Sequence, residues 1–169
     1  MRIALIEIGN TTCRHTIDTG IGVDRRTHNL HLGASVSSNG SFTQDDISTA
    51  TRLAQEFMTA AKARNCQRIV AIATESFRLA ANGAAVASHI SRESGCQIKI
   101  LLPGEENALI WQAAADRFSN LNDLTTIALT GGSLGITSGK IGRESPEHNL
   151  SYPLGTSVLA PRASTNGFV

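Results

Sequence analysis

Hydrophobic positions along this chain switch between a period of two and a period of about 3.6, and the order of the switches predicts the fold. From Arg2 to Ile8 aliphatic residues occupy both sides of the alternation, which predicts a strand covered on both faces. After a turn at Gly9 to Thr12, Cys13 to Asp18 and Thr27 to Leu32 alternate more weakly and suggest a small meander. Gly33 to Gly40, with Ser35, Ser37, Ser38 and Asn39, reads as a loop. Thr43 with Asp46 three residues on forms an approximate capping box, and Ile47, Ala50, Leu53, Ala54, Phe57, Met58 and Ala61 keep helical spacing as far as Asn65. Arg68 to Ala73 is a second buried strand, followed by a short helical segment through Arg78. Asn82 is placed to cap a helix that turns Val86 and Ile90 inward and closes at Gly95. Ile98 to Leu102 returns as a strand. Pro103-Gly104-Glu105-Glu106 opens a helix through Ala108, Ile110, Trp111, Ala114 and Phe118, its carboxylates at the positive end of the helix dipole. Thr125 to Leu129 and Leu134 to Ser138 flank a Gly-Gly-Ser turn, and Gly139-Lys140 suggests the next hairpin. Three strands followed by alternating helix and strand predict an α/β sheet with parallel neighbours and ligand loops at strand ends. No internal repeat is visible.

Composition narrows the possibilities. The 169 residues suffice for one domain with a real core and are few for two. Apolar residues at 41% and charged residues at 17% exclude disorder and leave a sparsely charged surface suited to cover by another segment or subunit. A net charge of +1 argues against a nucleic-acid binder working through a general basic field, so any anion site is local. No run is long enough to span a bilayer, and the chain enters a strand pattern at once rather than a signal peptide, which suggests a cytoplasmic protein. Cys13, Cys66 and Cys96 suit reduced thiols. The five histidines lack metal-ligand spacing.

The chemistry is concentrated at two turns. Gly131, Gly132 and Ser133 combine backbone freedom with a hydroxyl, which suits a phosphate cradle; a plain hairpin turn between apolar strands is the alternative. Gly9, Asn10, Thr11 and Thr12 make a similar turn after the first strand. If the two strands lie side by side, both turns open on one edge.

The middle of the chain then becomes specific. Ala73-Thr74-Glu75-Ser76-Phe77-Arg78-Leu79-Ala80-Ala81-Asn82-Gly83, followed by Ser94-Gly95-Cys96-Gln97-Ile98 and Pro103-Gly104-Glu105-Glu106-Asn107-Ala108, closely resembles the exopolyphosphatase/guanosine pentaphosphate phosphatase (Ppx/GppA) family. Ile8 to Arg14 looks like that family's first phosphate loop, usually D-I-G-S-N-S-x-R, and Thr130 to Ser133 resembles its second, D-I-G-G-G-S-T-E. Tyr152-Pro153-Leu154-Gly155 fits the segment beyond it. The resemblance implies an actin-like, ribonuclease-H-like fold and hydrolysis of phosphoanhydride bonds in polyphosphate or guanosine pentaphosphate, with magnesium where the protein is active. It also implies a cleft between two lobes. Residues 1–155 are expected to form the N-terminal lobe, and 156–169 to leave it or begin a second lobe, with a homodimer as another possible partner.

Residue by residue, the resemblance assigns phosphate contacts to Gly9, Asn10, Thr11, Thr12, Arg14, Arg78, Gly131, Gly132 and Ser133. The first-loop Asp falls on Glu7, a candidate magnesium or water ligand with a side chain longer by one methylene. The catalytic Glu falls on Asn107, whose amide cannot activate water as a carboxylate does. Glu106 and Glu105 lie beside it but project in other directions. The acids of the second loop fall on Ala128 and Gly135, and an Arg of the family falls on His31. Two readings follow: a hydrolase lobe, and an inert relative that keeps phosphate or partner binding.

Overall fold

The computed structural model describes residues 1–156 and Leu159, so most of the expected exit segment, 156–169, lies outside the described residues. Its packing separates Met1–Leu101 from Leu102–Val169 as two compact units.

The first unit is a five-stranded mixed sheet in the order β3-β2-β1-β4-β5. Strands β1 (Ile3–Ile8), β2 (Thr12–Asp18) and β3 (Val23–Asn29) form an antiparallel meander, its third strand starting four residues before the expected Thr27–Leu32 because the charged residues 24–26 pair with β2. Strands β4 (Arg68–Ala73) and β5 (Ile98–Ile100) add to β1 in parallel, so the long connections carry helices. Ala4, Ile6, Ile8 and Cys13 are fully buried on one face, where helix α2 (Gln44–Ala63) packs. The other face is only half-buried at Ile3, Leu5 and Glu7, which corrects the expectation of a first strand sealed on both sides. Its aliphatic residues outnumber the cover that the described residues supply.

Helix α2 starts at Thr43 with a complete capping box: Asp46 N–H donates to Thr43 Oγ1, and the Asp46 carboxylate accepts from Thr43 N at 2.8 Å. The predicted loop 33–40 is instead helix α1 (Leu32–Asn39). Leu32 and Val36, four residues apart, bury one side of it, and Gly40 ends it at φ 68°. Burial of one stripe outweighs the poor helix propensity of its serines. Short helix α3 (Glu75–Leu79) follows β4, and helix α4 (Gly83–Ser94) ends at Gly95 with φ 70°. Asn82 precedes α4 but does not cap it. Its side chain bridges back to Phe42, accepting from the backbone N–H at 2.9 Å and donating to the carbonyl at 3.0 Å.

The second unit holds helix α5 (Pro103–Arg117) and a three-stranded antiparallel sheet in the order β6-β7-β8: Asp123–Leu129, Leu134–Lys140 and His148–Tyr152. Trp111 is fully buried, and α5 packs on all three strands. The second hairpin turns at Gly142, with φ 90°, and not at Gly139-Lys140. Gly139 is needed inside β7 because a Cβ there would sit 2.9 Å from Glu147 N. Strands β1 and β6 belong to different sheets.

The two meanders are structurally equivalent. Ile8↔Cys13 and Leu129↔Leu134 each flank a four-residue turn, closed in one case by Gly9 N–H to Thr12 O at 2.9 Å and in the other by Thr130 N–H to Ser133 O at 2.8 Å. Over residues 3–18 against 124–139 identity survives only at Ile6/Ile127 and Thr16/Thr137, which is why no repeat is visible in the sequence. No described helix is long and apolar enough to cross a membrane.

Candidate functional site

The expected site residues fall into two groups, one in each unit. In the first, the turn Gly9–Thr12 leaves β1 and is held by Leu30 N–H to Thr11 O at 2.7 Å and Gly33 N–H to Asn10 O at 2.9 Å. Thr74 N–H reaches Ile8 O at 3.2 Å, which brings the start of α3 to the turn. Asn10 Nδ2 donates to Glu75 at 2.9 Å, while Asn10 Oδ1 and Ser76 Oγ are buried without a hydrogen-bond partner among the described residues.

Both candidate cations of this group have protein partners. Arg14 and Glu7 face each other across β2 and β1 and form a half-exposed ion pair at 2.9 Å. Arg78 donates to the carbonyl of Leu101. Among the described residues no group of three or more histidine, cysteine or acidic side chains is arranged to hold a metal. Glu7 is a single carboxylate paired with Arg14, and magnesium is commonly held by one or two carboxylates together with substrate phosphates.

In the second group the Gly-Gly-Ser turn is self-contained. Ser133 is buried; its N–H donates to Thr130 Oγ1 at 3.1 Å, and the two hydroxyls lie 3.2 Å apart. Positive φ among the described residues belongs to Asn65, Gly20, Gly40, Gly95 and Gly142, not to Gly9, Gly131 or Gly132. Close approach at this turn is required of Gly155 instead. Gly155 N–H donates to Gly132 O at 3.0 Å, and a Cβ on Gly155 would lie 2.2 Å from Gly132 C. The Tyr152-Pro153-Leu154-Gly155 segment thus braces the turn.

Asn107 is 5% exposed, on the face of α5 that meets β7 and β8. Its amide donates to Leu150 O at 2.9 Å and to Asn149 Oδ1 at 3.1 Å, and Asn149 in turn donates to Gly104 O at 2.8 Å. A Cβ on Gly135 would fall 2.2 Å from Asn107 Oδ1. Asn107 and Gly135 are therefore a fitted pair: the amide occupies the space that the missing side chain leaves. Asn149, absent from the sequence-based candidates, completes the pair, and nothing local in its sequence marks it. Glu105 accepts from Leu102 N–H at 3.0 Å and closes the first turn of α5, while Glu106 is half-buried one position on.

A mixed sheet with a leading meander, covered by helices and with glycine turns at strand ends, is the actin-like, ribonuclease-H-like class of fold. The chain belongs to the Ppx/GppA phosphatase family, whose sequence profile it matches over residues 17–168. Exopolyphosphatase 1 of Mycobacterium tuberculosis is 27% identical over 166 residues, covering 94% of this chain and 48% of that protein. The Mycobacterium leprae protein is 26% identical over the same length. Among solved structures, the Aquifex aeolicus Ppx/GppA family member superposes with a TM-score of 0.83 at 25% identity, over 95% of this chain and 54% of that one. An exopolyphosphatase from Cytophaga hutchinsonii gives 0.80 at 17% identity over 96% of this chain and 53% of its own, a likeness of fold. The chain thus spans about half the length of the curated relatives it matches.

Proposed function

We propose that this chain is a phosphate-chain-binding part of an exopolyphosphatase-like protein, taking polyphosphate or guanosine pentaphosphate, and that alone it does not cleave phosphoanhydride bonds. The observation that carries this reading is the state of Asn107. Where the family resemblance calls for a carboxylate to activate water, there is a buried amide whose N–H groups are committed to β8. An amide has no basic site at neutral pH, so it cannot take the proton of an attacking water.

Binding draws support from the first turn. Ser76 Oγ is buried without a partner among the described residues, and a hydroxyl can donate to a phosphate oxygen. Arg14 and Arg78 would add charge if a polyanion competes with Glu7 and with the Leu101 carbonyl for their guanidinium groups. Gly131, Gly132 and Ser133 are the second proposed phosphate contact. Three cysteines without disulfides suit a reducing, cytoplasmic setting.

Phosphate release from polyphosphate with magnesium tests the first half of the reading: the 169-residue chain should stay at background, and robust magnesium-dependent release would overturn it. Amide shifts on titration with pyrophosphate test the second half. They are expected at Gly9–Thr12 and at Gly131–Ser133, and silence at both turns would remove phosphate binding.

A further inference from the structure

The turn after β1 carries a contact that phosphate chemistry does not call for. Thr74 N–H donates to Ile8 O at 3.2 Å and seats the start of α3 on the turn, where Asn10 Nδ2 donates to the Glu75 carboxylate at 2.9 Å. An amide presents donors on one side and an acceptor on the other. With Nδ2 given to Glu75, the carbonyl Oδ1 is the atom left buried without a partner among the described residues. Phosphate oxygens are acceptors as well and cannot satisfy it.

Charge points the same way. Glu7 and Arg14 offset each other at 2.9 Å, and Arg78 donates to the Leu101 carbonyl. Glu75 is half-buried and forms no ion pair among the described residues, its side chain being held by Asn10. A carboxylate fixed there repels the anions that a glycine turn with free backbone N–H groups attracts.

We propose that Glu75, acting through Asn10, is a positioning residue that lowers the affinity of the first turn for phosphate chains: it holds the amide with its acceptor inward and adds an uncompensated negative charge. This role rests on the reading of the turn as a phosphate site. Glu75→Gln keeps the size of the side chain and removes the charge. It also lets the two amides exchange donor and acceptor, which frees Asn10 Nδ2 to turn toward a phosphate oxygen.

Titration of the 169-residue chain with pyrophosphate, followed by amide shifts at Gly9–Thr12, is the test. Glu75→Gln should bind about fivefold more tightly than the unsubstituted chain. The gap should narrow as sodium chloride is raised from about 20 to about 500 mM, because the Debye length falls from about 20 to about 4 Å. A merely structural role for Glu75 would weaken binding in the variant and leave no such salt dependence. Glu93→Gln, an equal change of charge at an exposed position on α4, should leave the affinity unchanged. Should Glu75→Gln lose its circular dichroism signal, Glu75→Ala replaces it with the same expectation. Equal or weaker binding by the variant, or a gap that salt does not narrow, overturns the proposal and leaves phosphate binding in place. Shifts in the variant alone sustain the proposal, and shifts in neither protein overturn it together with phosphate binding at this turn.

Discussion

Asn107 shows how one side chain decides a local economy of hydrogen bonds. Asn107→Ala would remove the donor to Leu150 O and Asn149 Oδ1 in a part-buried setting, at an expected cost of about 1 kcal/mol in urea unfolding. Gly135→Ala should cost a similar amount for the opposite reason, overpacking against the Asn107 amide. The double variant should cost less than the sum, because removing the amide makes room for the new methyl; strict additivity would show that the two positions are not fitted to each other. His15 makes a separate case. Burial first, then the neighbouring His28, lowers its pKa from 6.5 to about 4. Its ring lies 5.0 Å from that of His28 and 5.3 Å from that of Phe57, with Glu56 and Arg26 on the same small cavity. The fold prefers the neutral ring, so the stability this confers is complete above the unfolded pKa and declines as pH falls from 6.5 toward 4. Unfolding free energy should drop by about 2 kcal/mol between pH 6.5 and 5, and His15→Leu should flatten that part of the profile.

At the scale of elements, helices divide into those that advertise their ends and those that do not. The capping box of α2 is legible because Thr43 and Asp46 satisfy each other within four residues, and Thr43→Ala should lower stability by about 1 kcal/mol in a thermal melt. Helix α1 is not legible, since its serines lack helical propensity and only the burial of Leu32 and Val36 secures it. Asn82 misleads in the other direction: an Asn before a helix reads as a cap, yet its amide spans forty residues to pair with both backbone groups of Phe42. Local sequence favours the nearer donors, and tertiary packing supplied better ones.

For the molecule as a whole, the two units differ in how completely their sheets are covered. Strands β1 and β4 are central, paired on both edges, and carry the fully buried residues Ala4, Ile6, Ile8 and Ala73. Strand β8 is an edge and exposed along its length. Native-state hydrogen exchange should therefore be slowest at Ile3–Ile8 and Arg68–Ala73 and fastest, among strands of the second unit, at His148–Tyr152; equal protection throughout would contradict this difference. The family's chemistry meets the same division. The glycine turns persist in both units, while the positions that resemblance assigns to acids carry Glu7, already paired with Arg14, and Asn107, Ala128 and Gly135, none of which is ionisable.

The sequence by itself determined the order of elements, the first meander, the buried strand Arg68–Ala73, the capped helix after Thr43 and the family, because hydrophobic period, caps and short motifs act over a few residues. Only tertiary structure decided that the expected core strand has a half-open face, that two meanders almost without shared residues are equivalent, and that Asn107 is a bracket fitted to Gly135. Those outcomes depend on which distant backbone reaches a given side chain: Leu150 and Asn149 lie more than forty residues from Asn107, and no local pattern records their arrival.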